Sequence, residues 1–76
     1  LSLHRALFAM RDSKLRSSVE RLALGRSILD CDGLDYLAVV DPNTLEPVGE
    51  VDRPLRAIAT ARYGSTRLLD NVALLP

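Results

Sequence analysis

The apolar residues change their spacing near the middle of the chain, and this change constrains the fold more than any other feature. Up to residue 29 they recur every three or four positions, as on one face of an α-helix. From Leu34 onward they form short runs or alternate with polar residues, as in β-strands. Helices followed by strands favour a helical layer on one face of an antiparallel sheet. We therefore predict an α+β domain in which two helices pack on a small three-stranded antiparallel sheet, in the order ααβββ.

Both predicted helices carry apolar residues on more than one face. The first has a stripe made of Leu3, Ala6, Leu7 and Met10. Leu1 and Phe8 fall opposite that stripe, at roughly 100° of rotation per residue. Asp12 or Ser13 can cap the second helix, because their side-chain oxygens accept from its free N–H groups. This helix is expected to bury Leu15, Val19, Leu22 and Leu29, with Leu24 and Ile28 nearly opposite. Two apolar faces indicate a sheet on one side and a further neighbour on the other.

Three strands are predicted after Gly33, which is expected to end the second helix in a left-handed conformation. Residues 34–40 are apolar on both faces, so this strand should be covered on both or central in its sheet. A β-turn at residues 41–44 and a proline-bounded excursion at 47–54 follow. Leu55–Tyr63 alternates, with three alanines on one face that would let a helix approach closely. After a tight reversal at residues 64–65, the last strand should be irregular around Asp70 and Asn71.

Composition limits the classes of function. Seventy-six residues make one domain, and 47% apolar residues are too many for a disordered tail. Ten basic and ten acidic side chains balance, which argues against a nucleic-acid or membrane-surface module, and no run approaches the roughly 20 apolar residues of a membrane span. The chain starts within a helical pattern, without an initiator Met or a signal peptide, as expected for a piece of a larger protein. Its single cysteine is compatible with a reducing cytosol.

The side chains that most often carry chemistry are sparse. His4 is the only histidine, which excludes a His-pair metal site within the chain, and we expect it in a solvated or edge position. Cys31 lies between Asp30 and Asp32, and negative neighbours disfavour the reactive thiolate. We expect it to be a small residue near a helix end. The sequence therefore predicts no catalytic, cofactor-binding or metal-binding residue in this chain.

Two loops weakly match ligand motifs. Residues 41–44 resemble the start of a calcium loop, but Leu45 and Glu46 stand where a ligand and a glycine are needed, so a plain turn is predicted. Residues 64–67 lack the second glycine and the lysine of a phosphate-binding loop, so a hairpin is predicted.

Four arginines need a separate explanation. Arg26 falls within the apolar stripe of the second helix and needs a partner or a route to water. A solvated strand face or a cluster facing an anionic ligand could explain Arg56, Arg62 and Arg67.

Two runs in the second half of the chain, residues 34–47 and residues 59–71, together resemble pantothenate synthetases. Residues 34–47, LDYLAVVDPNTLEP, are similar to that family's D-Y-x-E-x-V-D-P-x-T-L-x-P run. Residues 59–71, ATARYGSTRLLDN, resemble its closing A-x-x-x-G-x-T-R-L-I-D-N run, in the same order and at about the same separation. Ala38 stands where the family often has Glu, and the turn between the helices lacks the usual glycine. The likeness covers nearly all of this chain but only about the C-terminal third of the family's length.

The resemblance implies a function that this chain does not perform alone. The family joins pantoate to β-alanine at the expense of ATP, through a pantoyl-adenylate and with Mg²⁺. Its nucleotide site lies in an N-terminal Rossmann-like domain, and its dimer contacts lie largely there too. Residues 1–76 would then be a single C-terminal lid domain of a cytoplasmic, homodimeric ligase. The family's catalytic motifs precede Leu1, so no catalytic residue is carried over.

Two hypotheses of different classes follow. In the first, the chain is the lid of the ligase, and its partners are the N-terminal domain with ATP, pantoate and β-alanine as substrates of the parent. Phe8, Leu24 and Ile28 are then candidates for the domain interface, and the three strand arginines are weaker candidates for facing the cleft. In the second, the chain is a free-standing α+β interaction or regulatory module that docks a protein through its second apolar face.

Overall fold

The predicted ααβββ order is present in a computed structural model that describes all residues from 1 to 76. Helix α1 spans Ser2–Asp12 and helix α2 spans Ser18–Ile28. Strands β1 (Gly33–Val40), β2 (Leu55–Tyr63) and β3 (Thr66–Leu74) form one antiparallel sheet in the order β1-β2-β3. Helix α1 packs on β2 and β3, and α2 packs on α1 and β1. The prediction of an α+β domain is confirmed.

The apolar stripe of α1 is buried as predicted. Leu3, Ala6, Leu7 and Met10 all lie in the interior, whereas Leu1 and Phe8 are exposed. The sequence did not predict the role of Ser2, which is also buried. Its hydroxyl donates to the Asp30 carbonyl at 3.1 Å and accepts from the Asp30 N–H at 2.8 Å. A hydroxyl has one proton, so the Tyr63 hydroxyl, 2.9 Å away, must donate to it. This small network joins the start of α1 to the chain after α2 and to the end of β2.

Helix α2 begins later than predicted because a capping signal lies further along the chain. The hydroxyl of Ser17 accepts from the backbone N–H of Glu20 at 3.3 Å, and the spacing is that of a capping box. Ser13, one of the two predicted caps, instead accepts from the Leu15 N–H at 3.0 Å within the connection. Leu15 therefore lies outside the helix, and residues 13–17 bridge the two helices.

The predicted buried face of α2 is wrong. Val19 is 71% exposed, and Leu22 and Leu29 are only partly buried against the core. The inward face carries Ser18, Arg21 and Gly25, spaced by three and four residues. Small residues are favoured there because the two helices are close. A Cβ on Gly25 would lie 2.6 Å from the sulfur of Met10, so even an alanine would press on the neighbouring helix.

Arg21 joins the two helices through backbone carbonyls. Its side chain is buried, with 3% of the residue exposed. Its Nη1 donates to the Met10 carbonyl at 2.9 Å, and its Nε donates to the Leu15 carbonyl. Met10 lies in the last turn of α1, where carbonyls lack helical partners and the helix dipole favours a cation. Burial lowers the pKa of the guanidinium, but hydrogen bonds to two acceptors keep the buried charge tolerable. Arg26, by contrast, is exposed to solvent.

Strand β1 lies at an edge of the sheet, so the prediction that it is central is wrong. The alternative, cover on both faces, holds only at its end, where Val39 and Val40 point to opposite faces and are both buried. The edge is closed near its end by the following loop, where the Val48 N–H donates to the Val39 carbonyl at 3.1 Å. Val40 also forms an isolated bridge with Pro47. The same loop returns to the helices, since the Val51 N–H donates to the Arg16 carbonyl at 2.7 Å. The loop after β1 therefore covers the last residues of this strand, which explains why they are apolar.

The predicted irregularity in β3 is also wrong. All residues from Leu55 to Tyr63 pair with β3 without a shift in register. The irregularity lies in β1, between Leu34 and Tyr36, where Asp35 has no partner on β2. An unpaired residue of this kind is a β-bulge, and bulges redirect side chains.

Gly33 opens β1 and does not take the predicted left-handed conformation, because Gly64 is the only glycine with a positive φ. The space around Gly33 explains the residue differently. A Cβ there would overlap an Nη atom of Arg62, so the missing side chain makes room for a guanidinium. Gly64 has φ +62° in the reversal between β2 and β3, and the hairpin prediction is confirmed. A positive φ at the first turn residue alone is the pattern of a type II′ turn.

Replacing Arg21 with methionine should lower the free energy of unfolding by about 2–4 kcal/mol, because two carbonyls lose their donor. The matched control is Arg26→Met, in the same helix and exposed, for which a change within about 0.5 kcal/mol is expected. Urea unfolding of the chain followed by circular dichroism measures both values. Equal losses in the two variants would show that Arg21 acts only through helix propensity or solubility.

Candidate functional site: the open face of the sheet

One face of the sheet is covered by the helices and the other is open. Residues paired across antiparallel strands point to the same side, so the register assigns the faces. The covered face carries Leu55, Ala57, Ala59 and Ala61 of β2, all buried as the alternation predicted. The open face is built from Tyr36, Ala38 and Val40 of β1, Arg56, Ile58, Thr60 and Arg62 of β2, and Arg67, Leu69, Asn71 and Ala73 of β3. Val40 is buried, at the end of β1 where the following loop bridges to it. We call this set the open face.

Two arginines at one end of the open face share a carboxylate. Arg62 and Arg67 are paired across the hairpin, so their like charges lie side by side. The Asp35 carboxylate lies between them, 2.8 Å from Arg67 Nε and 3.6 Å from Arg62 Nε. The β-bulge explains its position, because Asp35 leaves the ladder there and can turn toward the open face. Both guanidinium groups remain about half exposed, so their outer N–H groups can still bind an anion.

Arg56 is at the other end of the open face. Its Nη1 donates to the Asn71 side-chain oxygen at 2.6 Å. It is six positions from Arg62 along β2, which corresponds to about 20 Å at 3.3 Å per residue. The three arginines therefore do not form the single cluster considered from the sequence. Arg56 lies at one end of the open face, and Arg62 and Arg67 lie at the other.

The centre of the open face is apolar around one buried hydroxyl. Tyr36 and Leu69 are exposed, and Ile58 is partly exposed. Thr60 pairs with both Tyr36 and Leu69 and is only 4% exposed. Its Oγ1 has no hydrogen-bond partner. A buried unpaired hydroxyl is costly, and this one lies on the side of the sheet that no helix covers.

His4 is exposed, as expected for an edge position, but it has a partner that the sequence did not indicate. Its Nδ1 lies 2.8 Å from an Asp70 carboxylate oxygen. Asp70 pairs with Ala59, so it points to the covered face and not to the arginines. The imidazole also lies 5.7 Å from the Phe8 ring. The pair fastens the start of α1 to β3, and no nucleophile accompanies it.

Cys31 is partly buried and packs against the core, as a small apolar residue would. The neighbouring Asp32 is used structurally. Its N–H donates to the Arg62 carbonyl at 2.8 Å, and its carboxylate accepts from the Gly64 N–H. The cysteine therefore lies beside a carboxylate that is fixed by the hairpin.

The loop after β1 is the predicted turn. Asp41 Oδ1 accepts from the N–H groups of Asn43 at 2.8 Å and Thr44 at 3.1 Å. These two bonds, with a smaller contribution from Arg53, lower the pKa of the Asp41 carboxyl. No three His, Cys, Asp or Glu side chains of the chain are grouped so that they could hold a metal ion. The carboxylate stabilises the turn.

A concavity of about 530 Å³ lies beside the connection between the helices, and the sequence did not predict it. Its lining includes four cations, namely Arg11, Lys14, Arg16 and Arg21. Three of them already have partners: Arg11 pairs with Asp12, Arg16 pairs with Glu50, and Arg21 donates to carbonyls. Because most of its charge is engaged, this concavity is a weaker anion site than the open face.

These side chains can form a binding surface, but they do not bring together the groups of a reaction centre. The only histidine pairs with Asp70, the only cysteine packs against the core, and the strand arginines lie at the two ends of the open face. The open face offers an apolar centre between positively charged ends, which is the anatomy of a docking surface. None of the helices has both the length and the apolar character that crossing a bilayer requires.

Comparison with known proteins defines the class of protein to which this arrangement belongs. The sequence profile of the family described as Pantoate-beta-alanine ligase matches residues 1–73. The pantothenate synthetase of Koribacter versatilis is 38% identical over 80 residues, covering 97% of this chain and 28% of that protein. That of Acidiphilium cryptum is 43% identical over 74 residues, covering 95% of this chain and 26% of that protein.

The fold agrees with the sequence comparison. The crystal structure of pantothenate synthetase from Thermus thermophilus superimposes with a TM-score of 0.87 at 35% identity, over 99% of this chain and 29% of that one. The chain belongs to the pantoate–β-alanine ligase family. It spans a little more than a quarter of the length of these relatives.

The two runs that resemble this family contribute to all three strands of the sheet. The first run begins in β1 and continues into the turn after it, and the second covers the end of β2 and most of β3. The strands place Tyr36 of the first run and Arg67 and Asn71 of the second on the open face. Both runs therefore contribute to the same surface.

The lowered pKa of Asp41 predicts a pH dependence of stability. A carboxyl whose pKa is lower in the folded state stabilises the fold above its unfolded value of about 3.9, and this contribution is lost as the pH falls through the folded value. Asp41→Asn keeps an oxygen that can accept the two N–H bonds but cannot titrate. Melting temperatures measured from pH 7 to pH 2 should therefore fall less steeply for Asp41→Asn below about pH 4. Parallel curves would show that the turn does not depend on the charge.

Proposed function

We propose that this chain is the C-terminal lid domain of a pantothenate synthetase, a cytoplasmic ligase that joins pantoate to β-alanine with ATP. The observation that carries the proposal is the family match over residues 1–73 in a chain that spans only 28% of a relative. The relatives named above are all pantothenate synthetases, and none favours the free-standing interaction module. The free cysteine agrees with a reducing compartment.

The reaction is divided between the parts of the parent. The pantoate carboxylate attacks the α-phosphorus of ATP and releases pyrophosphate, and the amine of β-alanine then attacks the acyl carbon of the pantoyl-adenylate and releases AMP. We assign both steps to groups of an N-terminal Rossmann-like domain, because this chain holds no nucleophile and base in contact. The parent is expected to use Mg²⁺ and to be a homodimer. Mg²⁺ prefers oxygen ligands, and this chain groups no three acidic or imidazole side chains.

The role of this chain is then to cover the reaction. An acyl-adenylate is hydrolysed by water, so a domain that closes over the cleft protects the intermediate. A lid needs a stiff body and a surface complementary to its seat. The buried Arg21 bonds and the uninterrupted β2–β3 pairing supply the stiffness, and the open face supplies a surface.

The complete protein encoded by the parent reading frame should release AMP only when ATP, pantoate and β-alanine are all present. A coupled assay that follows AMP, with each substrate omitted in turn, measures this. Release of AMP that does not depend on pantoate, or no release at all, would contradict the assignment to this reaction.

The 76-residue chain alone should bind neither ATP nor pantoate. The reason is that its arginines lie at two separate ends of the sheet and no described cavity combines apolar walls with unpaired donors. Isothermal titration calorimetry at about 0.1 mM protein would detect any dissociation constant below about 1 mM. The complete protein serves as the positive control, and tight binding by the short chain would place the substrate site within it.

A further inference from the structure

We infer that the open face is the surface through which this chain docks on the upstream domain of its parent, and that this docking seats an acidic surface between the arginines of β2 and β3. The inference rests on the proposed function, since it assumes that a larger parent exists. It goes further because it names the surface and the charge of its partner. It also replaces the outer helix face, with Phe8, Leu24 and Ile28, that the sequence suggested.

The outer helix face has little left to offer a partner. The Phe8 ring is already covered in part by the Arg11 guanidinium, whose central carbon lies 4.6 Å from the ring centroid. Leu24 and Ile28 are partly buried within this chain. Val19 on α2 and Leu1 at the start of α1 remain exposed, and scattered exposed apolar residues are ordinary on protein surfaces.

The open face, in contrast, groups several features that only a neighbour would satisfy. Tyr36, Ile58 and Leu69 form an apolar centre on a sheet face without a covering layer. The Thr60 hydroxyl beneath them is buried and unpaired. Ser18 Oγ is the other buried hydroxyl without a partner. Ser18, however, packs on the loop after β1, where the Ser18 N–H donates to the Gly49 carbonyl at 3.0 Å. Thr60 is thus the one that lies on an uncovered surface.

The charge of the open face distinguishes between the partners that could cover it. Three arginines and one aspartate stand at the ends of the open face, which leaves an excess of two positive charges. A second copy docking face to face would bring the same charges against them, and like charges opposed in an interface are unfavourable. A surface with carboxylates at matching positions would pair with the half-exposed guanidinium groups of Arg62 and Arg67.

The length of the relatives indicates which partner would cover the open face. In the Thermus thermophilus enzyme the part similar to this chain is 29% of the protein, so most of that protein lies outside it. The resemblance to the family places a Rossmann-like domain upstream of these residues, so that domain of the parent would precede α1. A domain joined at that end is held at a high effective concentration and can seat on the sheet without a large interface.

Thiol labelling of the complete protein tests the inference at two matched positions. Leu69, at the centre of the open face, and Val19, on the outer face of α2, are both 71% exposed in this chain. We would introduce Leu69→Cys or Val19→Cys into a complete protein carrying Cys31→Ser. The rate of maleimide labelling of each peptide, followed by mass spectrometry, is divided by the rate of the same variant unfolded in urea, which removes differences in intrinsic reactivity.

We expect the normalised labelling rate at position 69 to be at least about tenfold lower than the rate at position 19. This difference should be present in the absence of ATP and pantoate, in their presence, or in both. Equal rates at the two positions in both conditions would overturn the inference. Protection at position 69 that disappears on dilution would identify a second copy as the occupant and would also overturn it.

The release of AMP by the Cys31→Ser protein separates this inference from the proposed function. An active protein with an unprotected position 69 contradicts the docking surface alone. An inactive protein with a protected position 69 contradicts the assigned reaction and leaves the docking surface supported.

Discussion

The packing of α2 against α1 depends on one buried guanidinium. Arg21 satisfies the Met10 carbonyl in the last turn of α1 and the Leu15 carbonyl in the connection, and no carboxylate pairs with it. A buried charge of this kind is stable only while its acceptors stay in place. It therefore fixes the end of α1, the path of residues 13–17 and the rotation of α2 together. Once Arg21 points inward, the residues three and four positions away must be small or must fit the same gap, and Ser18 and Gly25 do so.

This explains which parts of the fold could be predicted from the sequence. The stripe of α1 and the alternation of β2 consist of apolar residues whose period alone identifies the buried face. The inward face of α2 could not be found in this way, because it holds an arginine, a serine and a glycine while Val19 faces solvent. Period rules assume that burial follows hydrophobicity. They fail where a polar side chain is buried because the backbone of a neighbouring element needs a donor.

The candidate site was predictable only in part, for a related reason. Alternation placed Arg56 and Arg62 on one face, but it could not show that Asp35 would reach Arg62 and Arg67. That contact requires a bulge in β1, and the choice between the two registers on either side of a bulge depends on the whole sheet. The pairing of His4 with Asp70 was equally hidden, since it joins the first helix to the last strand. A capping box at Ser17 and Glu20, however, was present in the sequence and would have corrected the start of α2.

The two faces of the sheet differ because they solve different problems. On the covered face, Ala57, Ala59 and Ala61 let α1 approach closely, and the contact depends mainly on shape, with the His4–Asp70 pair at its edge. On the open face, long side chains surround a short buried one, and their charges are held in place by Asp35 and Asn71 without being fully neutralised. A guanidinium that is oriented but half exposed loses less conformational entropy when it binds than a free one does. Such a face is prepared for contacts that form and break. Contacts of this kind would suit the lid role that we propose for this chain.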